Sequence, residues 1–353
     1  MKIKLAILEK DQGYLNRISM VFSTKYADKI ELYSFTDLKV ALEVLDIKKI
    51  DVLIANEIFE IDPKFVPKRC GVAYFVESVD VDTIGEYRAI CKFQKIDLIY
   101  KQILSIYSEN AGNISGLKFG DDTCKIIIFL PVSGGVGSSS MAAACAKNFA
   151  SKGKRVLYLN LERFCGADVF FDAEGQFDMS DIIYSLKSKK ANLAMKLESS
   201  VKQANNGVYF FSQSKLALDM VELNSDDINR LISEIQFTGN YDYVIVDADL
   251  SIDKQWLNIY RKAHTIVWVS DGSEISNIKL FRSYNALNIL EQNADSPLTN
   301  RLVLIYNKFS SKTSKVLNDI GIKNIGGAPR YEHATTKQVI EQLSAMEMLN
   351  KLM

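Results

Sequence analysis

Over Lys2 to Leu8 a short alternating apolar run predicts a strand, and from Gly13 to Lys25 apolar residues recur at helical spacing instead. The two periods keep exchanging. Lys29 to Tyr33 predicts a strand, Asp37 to Leu45 a helix, Val52 to Ala55 and Val72 to Val76 buried strands, and Ile96 to Tyr107 a closing helix. Such alternation over about 110 residues predicts a small doubly wound α/β domain around a parallel sheet. The polar stretch from Ser108 to Gly116 has the Gly, Asn and Ser content of a linker. The expected organisation is therefore a first domain at 1–108, a linker at 109–122 and a second domain at 123–353.

The second region opens with the strand Lys125 to Leu130, followed by a glycine loop and a small-residue helix from Ser139 to Ser151. Further strands are expected at Arg155 to Leu161, Val208 to Ser212, Tyr243 to Asp247, Thr265 to Ser270 and Arg301 to Tyr306. Helices separate them, one running from Ser180 through Leu186 and another opened by the capping chemistry of Ser225-Asp-Asp and reaching Ile235. Strands reading Ile-Ile-Ile-Phe-Leu or Val-Ile-Val-Asp, apolar without alternation, imply a sheet covered on both faces. No internal repeat or low-complexity segment interrupts the pattern.

Composition sharpens this picture without redirecting it. The 353 residues carry 43 basic and 43 acidic side chains, so the net charge is zero and no general electrostatic footprint for nucleic acid exists. With 48% hydrophobic residues, 5 prolines and 18 glycines, the chain is globular rather than disordered or collagen-like. Cys70, Cys91, Cys124, Cys145 and Cys165 are odd in number and form no CxxC pair, which favours reduced thiols over a disulfide framework or zinc. The N-terminal MKIKLAILEKDQ meets a charge before a signal-peptide core can form, so the protein is expected in the cytoplasm. The long uncharged run Ile126 to Ala146 has a polar, glycine-rich centre and is not expected to span a bilayer.

The glycine loop is where chemistry is expected. Ser133, Gly134, Gly135, Val136, Gly137, Ser138, Ser139 and Ser140 lie between a strand and a helix, where phosphate oxygens meet backbone N–H donors and the positive end of the helix dipole. Glycine lets the backbone close around an anion without Cβ obstruction, and Ser139 or Ser140 offers a hydroxyl to Mg2+ or phosphate.

This loop resembles the deviant Walker A motif of the MinD/ParA ATPases, Lys-Gly-Gly-x-Gly-Lys-Thr-Thr. Ser133 stands at the signature lysine and Ser138 at the general P-loop lysine, so both cations are missing. The resemblance implies ATP and Mg2+ as ligands, with fast hydrolysis impaired. It also implies roles elsewhere. Asp247, ending Tyr241 to Asp247, would contact the Mg2+ shell beside Ser139, directly or through water. Asn160 and Glu162 occupy the switch positions that usually carry Asp-x-Asp; Glu162 keeps a carboxylate able to orient water, and Asn160 is no base. Asn307 would hydrogen-bond adenine, with Lys308 read as an ordinary surface charge. Pro329 and Arg330 would lie beside the base, and Arg330 or Lys147 would replace some of the lost positive charge.

The first domain resembles a response-regulator receiver, a flavodoxin-like fold. Glu9 and Asp11 match its acidic cluster, with Lys10 intruding, Asn56 its phosphorylated aspartate, and Lys92 before Phe93 its lysine. An amide forms no acyl phosphate, so this domain reads as an interaction module. A pseudo-receiver followed by a degenerate MinD/ParA-like P-loop domain resembles the TadZ/CpaE family of Flp (Tad) pilus assembly proteins over essentially the whole chain. That resemblance implies two doubly wound α/β domains, a homodimer formed through the ATPase domain, pilus and secretion machinery as partners, and a cytoplasmic, polar or inner-membrane-face location. The expected function is an ATP-Mg-dependent scaffold with weak or no hydrolysis; the alternative is an active ParA/MinD-like ATPase in positioning or partitioning. Specific nucleic-acid binding is not expected, and a hydrolase reading fails because no Gly-x-Ser-x-Gly elbow exists and His264 and His333 form no triad pattern. Over Thr336 to Met353 the residues Val339, Ile340, Leu343, Met346, Leu349 and Leu352 lie near one helical face. Lys337, Glu341, Glu347 and Lys351 opposite them give no basic excess, so packing on the ATPase core or a partner is expected ahead of peripheral membrane contact.

Overall fold

The computed structural model describes residues 2–110, 124–164, 166–188, 192–292, 294–318 and 320–353. They form two compact units, Met1–Gly116 with Tyr184–Ser200, and Leu117–Ile183 with Val201–Met353. Of the linker expected at 109–122, Glu109 and Asn110 are the last turn of a helix; 111–122 lie outside the described residues, as does Cys165. Cys70, Cys91, Cys124 and Cys145 are buried free thiols.

In the first unit the order is β1 (Ile3–Leu8), α1 (Gln12–Lys25), β2 (Ile30–Phe35), α2 (Leu38–Ile47), β3 (Val52–Asn56), β4 (Gly71–Val76), β5 (Thr83–Ile84), β6 (Tyr87–Cys91) and α3 (Ile96–Asn110). The sheet order is β2-β1-β3-β4-β6-β5, parallel except for the β5–β6 hairpin. Alternation decides the layers: Leu5, Ile7, Val52, Ile54 and Phe75 enter a core under α1 and α3, whereas Ala6, Leu8, Leu53, Ala55 and Tyr74 enter one under α2. Asp11 and Asp37 start α1 and α2 by accepting from the N–H groups of Tyr14 and Val40. The expected alternation with helices lapses after β3. Only a turn of 3₁₀ helix, Pro63–Phe65, joins β3 to β4, and six polar-rich residues, too few for a packed helix, lead from β4 to the hairpin.

From Lys125 onward the elements are β7 (Lys125–Pro131), α4 (Ser138–Ser151), β8 (Val156–Asn160), α5 (Met179–Ser188), α6 (Leu193–Ser200), β9 (Lys202–Gln203), β10 (Tyr209–Phe210), α7 (Ala217–Val221), α8 (Ser225–Thr238), β11 (Tyr243–Asp247), α9 (Lys254–Tyr260), β12 (Thr265–Ser270), α10 (Glu274–Leu290), β13 (Leu302–Phe309), β14 (Lys323–Pro329) and α11 (Thr336–Ser344), all in the second unit except α6 and the end of α5. Of these, α6 and the end of α5 pack with the first unit; buried Lys196 of α6 donates to Ser105 of α3 at 2.9 Å. The sheet order is β14-β13-β12-β7-β11-β8-β10-β9, parallel except for β9. β7 sits at the centre, flanked by β12 and β11, so the chain reverses direction of winding beside its C-terminal end, where open α/β sheets take ligands. The small residues of α4, Ala142 to Ala146, are fully buried, allowing the helix to lie close on the sheet.

The N-cap of α8 is Asn224, paired with Asp227 in a capping box, and Ser225 is the first helical residue rather than the cap. The C-terminal segment is not one helix to Met353: α11 stops at Ser344 and a 3₁₀ turn spans Glu347–Leu352. Its apolar side is buried. Ile340, Leu343, Leu349 and Leu352 join the core cluster that contains α4. No helix of the described residues is long and apolar enough to cross a membrane.

Candidate functional site

The loop that follows β7 holds itself open by its glycines. Gly135 and Gly137 have φ of 77° and 81°, left-handed values that favour glycine. A Cβ placed on Gly134 or Gly135 would meet nothing within 4 Å, so the space beside the loop backbone is open there. Gly137 caps α4 with no side-chain hydrogen bond, leaving first-turn N–H donors without side-chain partners. Val136 is buried in the core, its carbonyl accepting from Asn307 Nδ2 at 2.9 Å. Ser140 is half-buried.

Neither serine in a lysine position substitutes for the missing charge. Ser133 Oγ lies 2.6 Å from Ser276 Oγ on α10, and Ser138 Oγ is buried with no hydrogen-bond partner among the described residues. Lys147 is paired with Glu341 of α11. Pro329 ends β14 and Arg330 follows it exposed; neither is bonded to the loop among the described residues. Asn307, 3% exposed, commits its Nδ2 to the loop carbonyls of Val136 and Gly137, so it braces the loop. Beside it Lys308, which sequence reading took for a surface charge, reaches the Gly135 carbonyl at 2.7 Å.

Behind the loop lies an acidic, partly unsatisfied cluster. Register places Asp247 of β11 between Phe129 of β7 and Asn160 of β8. Its Oδ2 accepts from Tyr158 Oη at 2.6 Å and Asn160 Nδ2 at 3.1 Å, while its Oδ1 and Asn160 Oδ1 are buried without a partner. Ser139 donates to Glu162 Oε1 at 3.1 Å. Burial first, and then the Glu162 carboxylate, raise the Asp247 pKa to about 8 against the opposing hydroxyls of Tyr158 and Ser139. Burial and Asp247 in turn hold the Tyr158 phenol well above its ordinary value. Tyr158 is a participant that sequence reading missed, though strand alternation sets it on the same face as Asn160.

These residues fit a hard cation. Two unpaired carbonyl-type oxygens stand near a serine hydroxyl and a second carboxylate, and an added positive charge would return Asp247 to its ionised form. Among the described residues no group of three or more His, Cys, Asp or Glu converges. Mg2+ needs none, because it is commonly held by one or two carboxylates together with phosphate oxygens and water.

In the first unit the receiver-type residues are closed on one another. Asn56 Nδ2 donates to both Glu9 oxygens at 2.8 and 3.0 Å, and Lys92 Nζ pairs with Glu9 Oε2 at 2.7 Å with both side chains buried. Burial alone would raise the Glu9 pKa; Lys92, Asn56 and the Asp11 N–H outweigh it and hold it below the ordinary carboxylate value. The Asp11 carboxylate caps α1 instead of extending the cluster. His264 Nδ1 accepts the N–H of Ile126 and His333 is exposed, so both are structural or surface residues.

The second domain has an α/β fold of the ParA/MinD kind, with the glycine loop between its central strand and a helix. Solved structures of similar fold include a ParA family ATPase from Chlorobium tepidum TLS, at 21% identity and TM-score 0.50 over 65% of this chain and 96% of that one. Another is the MinC:MinD cell division protein complex of Aquifex aeolicus, at 17% identity and TM-score 0.50 over 65% and 95%. No curated protein matches the sequence. Residues 1–108 match the family described as TadZ-like, receiver domain. Residues 1–108 thus carry a TadZ-like receiver domain, and the domain that follows has a ParA/MinD-like fold.

Proposed function

We propose that the second domain binds ATP with Mg2+ and that binding supports a homodimer acting as a scaffold for Flp (Tad) pilus assembly in the cytoplasm, polar or at the inner face of the membrane. The observation that carries this reading is the open space at Gly134 and Gly135 together with the orphaned Asp247 Oδ1. Ser133 to Ser140 would supply main-chain N–H donors to the phosphates, Ser139 and Asp247 oxygens to Mg2+, and Pro329 with Arg330 a wall near the base. Asn307 fixes the loop and retains its Oδ1 for adenine. Mg2+ would contribute charge neutralisation at the phosphates.

Turnover is proposed to be slow. The loop has no ammonium group of its own, and Asn160 spends its amide on Asp247. A second reading, an active ATPase, is favoured by Glu162, whose carboxylate beside Ser139 is chemically able to orient water. The receiver domain would dock pilus partners through its surface, since Glu9, Asn56 and Lys92 are already paired with one another.

The test is mass spectrometry of ligand carried through purification, with sedimentation before and after its removal. Adenine nucleotide in the protein and a fall in mass on stripping are expected. A nucleotide-free protein whose sedimentation ignores added Mg-ATP would refute the switch. Single-turnover hydrolysis abolished by Glu162→Gln would favour the second reading.

A further inference from the structure

Asn307 and Lys308 are consecutive in β13, and consecutive side chains of a regular strand leave on opposite faces. Here both reach one loop, Asn307 Nδ2 at the Val136 carbonyl and Lys308 Nζ at the Gly135 carbonyl, 2.9 and 2.7 Å away. A break in the ladder makes this possible. The β13–β14 register shifts between Tyr306 and Phe309, and Lys308 takes φ 54°, a left-handed backbone that costs energy for any residue with a Cβ. Bulges of this kind re-aim side chains beside binding sites, and strain persists where surroundings over-determine it.

We propose that Lys308 is the phosphate-neutralising cation of this site, delivered from the end of β13 in place of the lysine the glycine loop lacks. The inference rests on the nucleotide reading above. Its charge stands over a loop that carries no ionisable side chain between 133 and 140. The other cations considered are placed elsewhere, Lys147 on Glu341 and Arg330 exposed beyond β14. An ammonium has three N–H donors, and the Gly135 carbonyl occupies one. That contact holds the ammonium beside the loop, where an anionic oxygen offers a stronger, charge-assisted partner than a carbonyl.

Calorimetric titration of the full chain with Mg-ATP and with AMP tests this, using wild type, Lys308→Gln, Lys308→Arg and Lys312→Gln, each checked by thermal melting. Loss of one charged hydrogen bond predicts that Lys308→Gln weakens ATP binding about tenfold or more, with a flatter salt dependence. AMP binding should change less than about threefold, Lys312→Gln, at an exposed lysine with no role in the site, should stay within about twofold of wild type, and Lys308→Arg should keep most of the affinity. If Lys308→Gln lowers the melting temperature, Lys308→Gly, which accepts a left-handed backbone, carries the same expectation. Wild type binding ATP with the Lys308 variants equally tight overturns the inference alone. Wild type taking up no ATP removes the nucleotide reading itself, and the inference with it.

Discussion

Two buried carboxylates illustrate opposite solutions to the same electrostatic problem. Glu9 has a full set of partners in Lys92, Asn56 and the Asp11 N–H, and stays ionised. Its pKa is lowered by folding, so it adds stability above the unfolded carboxylate range, and that contribution is lost as pH falls through the folded value. Removing Lys92 strands the charge: Lys92→Met should cost about 3–5 kcal/mol in denaturant unfolding of the first domain. Asp247 has the opposite sign. Its pKa is raised to about 8, so the stability it allows is complete below the ordinary carboxylate range and declines as pH rises toward that value. Asp247→Asn should therefore raise the melting temperature of ligand-free protein at neutral pH while abolishing any Mg2+ dependence of nucleotide binding. For wild type, the raised Asp247 pKa means that Mg2+ binding is favoured by loss of a proton, so its affinity should rise with pH through the neutral range in titrations at fixed nucleotide.

At the scale of elements, the loop and its brace form one unit. A Cβ on Gly137 would lie 2.5 Å from Asn307 Nδ2 on a backbone with positive φ. Gly137→Ala should destabilise the second domain by about 1–3 kcal/mol in thermal or denaturant melts. Most elements were legible because their periods are clean: the fully buried strands β3 and β11, and α1 and α2 with their aspartate caps, follow local pattern. β14 was not, because Gly326 and Gly327 read as a turn. There the glycine is required by close approach, a Cβ on Gly326 lying 2.9 Å from Met348 Cβ. β5 and β6 hid because a hairpin stands where the pattern of the preceding elements called for a helix. The loop at 133–140 and Asp247 were visible as motifs, whereas Lys308 was not: the sequence signals neither a left-handed lysine nor a register shift between distant strands. The packing of α6 on α3 is likewise a tertiary contact that no local period announces.

For the whole molecule, the proposed function gives the two domains different tasks. The receiver domain has an amide where an acyl phosphate would form and a lysine–glutamate pair buried beneath it. Incubation with a small-molecule phosphodonor and Mg2+ should leave the intact mass of the protein unchanged, whereas a hydroxylamine-labile adduct would contradict this account of the pocket. Any switch then resides in the second domain, whose loop sits at the sheet's point of reversal beside β7. Scaffold function with slow turnover requires only that nucleotide occupy the site for long periods.

The most direct measurement is calorimetric titration of nucleotide-free protein with Mg-ATP, in wild type and in Gly134→Ala. A Cβ at residue 134 has open space around it, so the variant should melt within a degree or two of wild type. Wild type should bind saturably and Gly134→Ala about tenfold or more weakly, because its methyl group would stand where the loop amides meet phosphate. No heat from wild type at millimolar ATP, or equal affinity in the two proteins, would contradict it.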